Sequence, residues 1–211
     1  MTAPTLILVP GLMCDETSWA PILPALSAQV ACHVVSHGEA DSLTQMAQQI
    51  LDAAPAQFDL AGHSMGGRVA LEVVRRAPER VRRLALLGTG YRAKEAGEAG
   101  EKEVQGRQAL LDVAQNDSIR AMAQVWVQNM VAPARLADAA FIEAIVQMFE
   151  RKSVAIFQRQ IKALLTRPDA LVLLSRPPRR LLWRGNRCPA RPGAAPARAP
   201  CAPPLKPRAR P

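Results

Sequence analysis

The sequence has no apolar run of about 18 residues, the length a membrane-spanning helix needs, and none is expected. It has no basic stretch ahead of its first short apolar segment, so the N-terminus does not read as a secretory signal. The four cysteines, Cys14, Cys32, Cys188 and Cys201, form no C-x-x-C pair. That spacing gives no zinc or dithiol motif, and free thiols in a reducing cytoplasm are expected. There is no internal repeat. Histidine is scarce: His33, His37 and His63 are all there is, and nothing after residue 63 supplies another. The last carboxylate is Asp169. These last two absences weigh most on function.

What is present is an ordinary globular composition, 49% apolar over 211 residues, enough for one domain with an inserted subdomain. The net charge of +9 is unevenly placed. Residues 176–211 hold nine Arg, one Lys and no acid, whereas residues 1–175 hold 17 basic and 18 acidic residues. The same last segment carries 10 of the 18 prolines. Pro- and Arg-rich sequence of this kind builds no packed core, so 176–211 is read as a disordered tail. Leu181-Leu182-Trp183 is its one apolar cluster, a remnant strand at most.

Residues Gly62-His63-Ser64-Met65-Gly66 spell G-x-S-x-G. A short apolar strand candidate, Gln57–Ala61, precedes them, and a helical pattern, Gly67–Arg76, follows. Strand, sharp turn and helix is the context in which this motif lifts a serine hydroxyl clear of a sheet. Gly62 and Gly66 leave room where strand and helix crowd. The helix N-terminus then turns unpaired amides and its positive dipole end toward the serine. Ser64 is the candidate nucleophile, and the Met65 N–H a candidate oxyanion donor. Gly62–Gly67 is no G-x-G-x-x-G fingerprint, and neither a metal nor an organic cofactor is implied.

Thr5-Leu6-Ile7-Leu8-Val9 is nearly all apolar, as a strand buried on both faces is, and it ends in Pro10-Gly11-Leu12-Met13. With L-A-G-H-S-M-G-G-R-V-A-L, the segment L-I-L-V-P-G-L resembles the α/β-hydrolase family over about residues 1–175. The resemblance implies a doubly wound parallel sheet with a helical cap insertion. It implies that Leu12, in the loop after an early strand, donates the second oxyanion N–H. It implies hydrolysis of an ester-like carbonyl in a small-molecule substrate, although relatives also cleave amides, lactones and carbon–carbon bonds.

Along the chain, strand candidates at Thr5–Val9, Ala31–Ser36, Phe58–Ala61 and Leu84–Leu87 alternate with helix candidates near Ser18–Leu26, Ser42–Ala53 and Met65–Arg76. That alternation argues a parallel sheet over residues 1–90. From 91 to 175 helical spacing takes over: Met122, Trp126 and Met130 repeat every four residues, and Val154, Phe157, Ile161 and Leu164 share a face. The resemblance makes this stretch a cap over the nucleophile. Most of the stripe reads as core, with Trp126 and the methionines weak candidates for substrate contact.

A serine hydrolase needs a histidine base and usually an acid to orient it, and in this fold both follow the serine. Here neither late member exists, and Gly88-Thr89-Gly90, where some relatives place the acid, has no carboxylate. His37, at the sheet end where sites form, is the surrogate base to weigh. His63, adjacent to Ser64, reads as elbow packing on the opposite side, and His33 as structural. The composition of 176–211 fits a C-terminal part lost or read out of frame in a GC-rich gene. Three classes stay open: an active ester hydrolase, an impaired one that acylates Ser64 at most once, and a non-catalytic binding or scaffold protein with a basic tail. No nucleic acid partner is expected, although the basic tail leaves one open. The strand at Leu84–Leu87 is expected to be left as an exposed apolar edge.

Overall fold

The computed structural model describes residues 4–175 and 180–184. Five strands, β1 (Thr5–Val9), β2 (Ala31–Val34), β3 (Phe58–His63), β4 (Val81–Leu87) and β5 (Arg180–Arg184), pair in parallel in the order β2-β1-β3-β4-β5. The helices are α1 (Leu23–Ser27), α2 (Leu43–Ala53), α3 (Met65–Arg76), α4 (Gly97–Asn116), α5 (Ile119–Met130), α6 (Ala139–Glu150), α7 (Val154–Leu165) and α8 (Leu171–Ser175).

The two central strands are apolar on both faces because the sheet is covered on both. Leu8 and Val9 of β1 and Phe58 of β3 have no exposed surface. Helices α2 and α3 share one core with Ile7, Val9, Leu60 and Leu84. Trp19 covers the other face of the sheet, against Leu8 and Ala61. The chain moves outward from β1 to β2, then returns across β1 to β3. The strand order therefore reverses between β1 and β3, and a crevice opens at their carboxyl ends. The loop after β1 and the turn after β3 both lie there.

Between residues 97 and 165 the described structure is helical. Ser118, Asp138 and Ser153 each cap a helix by accepting from the amide three residues on. Met122, Phe149 and Phe157 are fully buried and belong to the same core as the α/β layer. Each contributes about 1.5–3 kcal/mol of burial, so these helices are built onto the sheet layer.

Several boundaries differ from the sequence reading, for local reasons. The helix expected at Ser18–Leu26 is instead a 3₁₀ turn at Glu16–Ser18 and the short α1. Pro21 has no amide to donate and cannot sit inside a helix, whereas Pro24 fits the first turn of one. Strand β4 begins at Val81, not Leu84, because Arg82 turns outward and pairs with Asp59 on β3 at 3.1 Å. Strand β2 stops at Val34 and β3 runs on to His63. The exposed-edge expectation for β4 is corrected too. Leu84–Leu87 pairs with Leu181–Arg184, so β5 is the outer strand among the described residues, and it falls on the apolar cluster at 181–183. Residues 176–179 and 185–211, with Cys188 and Cys201, lie outside the described residues. No helix among those described is long and apolar enough to cross a membrane.

Candidate active site

Strand β3 ends at His63 and the chain turns through Ser64 into α3. Ser64 has φ 53° and ψ −118°, a conformation that costs an L residue about 1–3 kcal/mol and persists only where the surroundings impose it. They do so here by hydrogen bonds. The Ser64 N–H donates to the Leu87 carbonyl at 2.9 Å, and the Ser64 carbonyl accepts from the Gly67 N–H at 3.1 Å and the Thr89 hydroxyl at 2.7 Å. They do so also by close backbone approach. A β-carbon on Gly62 would overlap the Gly66 carbonyl, and one on Gly66 would overlap the Val9 carbonyl. The two motif glycines thus let β1, β3 and α3 meet.

The loop after β1 passes beside this turn, and three contacts pin it. Met13 is also left-handed, at φ 60°, and its buried N–H donates to Gln160 Oε1 of α7 at 2.8 Å. The Asp15 carboxylate accepts from Nε and Nη2 of Arg151 at 2.8 and 3.1 Å, and from the Thr17 N–H at 2.9 Å. Burial pushes the Asp15 carboxyl up, but the hydrogen bonds from Arg151 and Thr17 outweigh it and hold the group below its ordinary value. His37 Nε2 lies 2.9 Å from the Pro10 carbonyl; a carbonyl only accepts, so Nε2 carries the hydrogen and donates.

The residues Leu12 and Met65 are 6% and 1% exposed, and neither N–H donates to any group among the described residues; the same holds for the buried Gly11, Asp15 and Gly66. Free first-turn amides are ordinary at a helix N-terminus. Leu12 and Met65 both line the cavity of 340 Å³ over Ser64. Its wall takes Trp126 from α5, Leu164 from α7 and the arginines Arg68 and Arg107. A second, largely apolar cavity of 580 Å³ shares Cys14, His63 and Met130 with the first and extends past Phe141, Ile145 and Met148. Burial and the neighbouring Asp15 push the Cys14 thiol up to about 12, so it stays protonated.

The histidines are distributed unlike the sequence reading in one respect. His63 lines the cavity beside Ser64 instead of pointing away from it. Strand alternation ends at His63, and the left-handed turn at Ser64 brings both side chains to one opening. His37 is 4% exposed, spends Nε2 on Pro10 and does not line that cavity. His33 lies in β2, exposed. Burial holds both His37 and His63 below the ordinary histidine value, the Pro10 bond opposing it at His37. Among the described residues no histidine hydrogen-bonds the Ser64 hydroxyl, no carboxylate lines the cavity, and no cluster of metal-ligating side chains occurs.

The sequence reading missed Thr89, Arg68, Arg107 and Gln160. The first of these stands in the very tripeptide that was noted only for lacking a carboxylate.

Residues 6–211 match the model of the Alpha/beta hydrolase family. The chain is 33% identical over 94 residues to a pimeloyl-[acyl-carrier protein] methyl ester esterase of Nitrosomonas europaea, a stretch covering 41% of this chain and 37% of that one. It is 37% identical over 97 residues to the dihydrolipoyllysine-residue acetyltransferase component of the acetoin cleaving system of Pseudomonas putida, covering 40% of this chain and 26% of that one. The matches thus span well under half the length of these relatives. Among solved structures, a thermophilic esterase from Thermogutta terrifontis superposes with a TM-score of 0.70 at 19% identity, over 86% of this chain and 71% of that one. The enol-lactonase from Burkholderia xenovorans gives 0.64 at 21% identity, over 78% and 66%. The sheet order, the turn at Ser64 and the match from residue 6 to residue 211 together establish that this chain belongs to the alpha/beta hydrolase family.

Proposed function

We propose that this chain carries the nucleophile half of an ester hydrolase. Ser64 attacks the carbonyl carbon of a small ester, and the amides of Met65 and Leu12 hold the oxygen as it becomes an oxyanion. The observation that carries this reading is the strained turn that sets Ser64 on a cavity lined also by Leu12 and Met65, whose amides make no hydrogen bond among the described residues. Donors held ready for a charge that develops only in the reaction stabilise that charge without reorganisation. The apolar cavity past Met130 and Ile145 accommodates an alkyl or acyl group of the substrate. The names of the esterase and lactonase relatives agree with an ester-like carbonyl.

The base is the weak point of the machinery. His37 serves in this reading to fix the Pro10 carbonyl at the start of the oxyanion loop, since its Nε2 is already committed there. His63 is close but forms no hydrogen bond to the serine among the described residues. Ser64 is therefore expected to be acylated by an activated ester and to release the acyl group slowly, because no placed imidazole activates the deacylating water.

Intact-mass spectrometry after incubation with p-nitrophenyl butyrate tests this. The expected result is one butyryl group per chain, mapped to Ser64, absent from Ser64→Ala, and removed faster when free imidazole is added. A folded protein that never takes up the acyl group would sink the reading and favour the binding or scaffold role.

A further inference from the structure

We infer that Arg68 makes this a site for esters that carry a second, free carboxylate, with the guanidinium reading that carboxylate while the ester carbonyl lies over Ser64. The inference deepens the proposed ester chemistry and rests on it.

Arg68 lies in the first turn of α3, four residues after Ser64, and both residues line the same cavity. It lines the serine cavity and also the neighbouring cavity of 500 Å³. Its guanidinium makes one hydrogen bond among the described residues, from Nη1 to the Arg92 carbonyl at 2.8 Å, and no ion pair. The carboxylate that would be its natural partner is taken: Glu103 binds Arg107 at 2.8 Å and Arg167 at 2.7 Å. Space is kept for the guanidinium, because a β-carbon on Gly90 would come within 2.8 Å of Arg68 Nη2.

The result is a cavity with a nucleophile candidate, two arginines and no carboxylate among its described lining residues. Burial, with repulsion from Arg167 and Arg107 and against the attraction of Glu103 and Asp169, brings Arg68 down to about 10, which still leaves it charged at neutral pH. Glu103 and Asp169 act on Arg68 only at a distance, and Glu95 and Glu103 line the neighbouring cavity, but none of them pairs with it directly. A half-buried cation with no hydrogen-bonded anion is costly, and an arginine fork matches a carboxylate by two parallel hydrogen bonds. The serine cavity shares Cys14, His63 and Met130 with the apolar cavity. One end of the site therefore takes an alkyl group and the other an anion, as in the half-ester of a short dicarboxylic acid.

The test uses monobutyl glutarate and its neutral methyl ester, butyl methyl glutarate, with binding measured by calorimetry. The full chain carries Ser64→Ala, so that the result does not depend on acylation. A charged hydrogen-bonded pair gives about a tenfold preference or more for the half-ester. The preference is expected to vanish with Arg68→Gln. Should that variant fail to fold, Arg68→Lys, which keeps the charge but not the fork, is expected to narrow the preference. Equal binding of the two esters, or a preference unchanged by substitution at Arg68, would overturn the inference. So would tighter binding of inorganic phosphate than of the half-ester. Retained preference in a chain whose native Ser64 takes no acyl group from p-nitrophenyl butyrate would leave the anion site standing and remove the serine chemistry.

Discussion

The Met13 amide donates to Gln160 Oε1 at 2.8 Å, across 147 positions of sequence. Both residues are buried, Met13 fully and Gln160 to 2% exposure. The bond ties the loop that carries Leu12 to α7. It also holds the amide of a residue whose left-handed φ of 60° gives it no local stability. Gln160→Leu fills similar volume but leaves that amide without a partner, which costs about 1–3 kcal/mol. The expected outcome is a lower urea midpoint together with slower acylation of Ser64, because Leu12 loses its fixed position. Lost stability with an unchanged acylation rate would show that the loop keeps its shape without Gln160.

The Thr89 hydroxyl acts on Ser64 itself. It donates to the Ser64 carbonyl at 2.7 Å, and its side chain fills the space that a β-carbon on Gly67 would enter. Thr89→Val keeps the volume and removes the donor. The Ser64 carbonyl retains the Gly67 amide, so the expected loss is about 0.5–1.5 kcal/mol by denaturant unfolding. The acylation rate of Ser64 is expected to fall with it, since the strained backbone of the nucleophile loses one of its three hydrogen bonds.

How much of this was legible in the sequence follows from the range of each signal. The turn at Ser64 was legible because glycines, strand and helix are all within ten residues of it. The parallel sheet followed from strand–helix alternation. Gln160 and Thr89 were not legible. Each acts through one side-chain bond to a distant backbone group, and no periodicity records such a bond. Arg68 was hidden differently: on a helix surface a lone arginine is ordinary, and only the occupation of Glu103 by two other arginines leaves it without an ion pair. The helix at Ser18–Leu26 failed because apolar spacing was read past Pro21.

Glu103 supplies a dependence on pH. Burial pushes its carboxyl up, but hydrogen bonds from Arg167 and Arg107 prevail and bring it down to about 2 from 4.5. A carboxylate lowered on folding contributes stability above its unfolded value and loses it as pH falls through the folded one. The contribution is therefore present at pH above 4.5 and is lost between there and about 2. Urea unfolding at a series of pH values is expected to show that decline in the native chain and a shallower one in Glu103→Gln. At neutral pH the variant is expected to be less stable, because Arg167, with a side chain only 8% exposed, is left unpaired.

Strand β5 is the edge through which association of the chains is expected. It pairs with β4 on one side and is the outermost strand among the described residues. Its two described side chains face differently: Leu181 packs against the main core, whereas Leu182 is 56% exposed. An edge strand with an outward apolar side chain is a template for pairing with another chain, and natural edges are blunted by charge, most often lysine. Leu182→Lys is expected to raise the concentration at which the protein stays monomeric, read by light scattering, with little change in thermal midpoint. Leu181→Lys buries a charge against the core and is expected to lower the midpoint and increase aggregation instead. If the two substitutions act alike, β5 is not the surface through which the chains associate. Opposite effects from neighbouring residues follow only if the strand is seated on β4 with the alternation described.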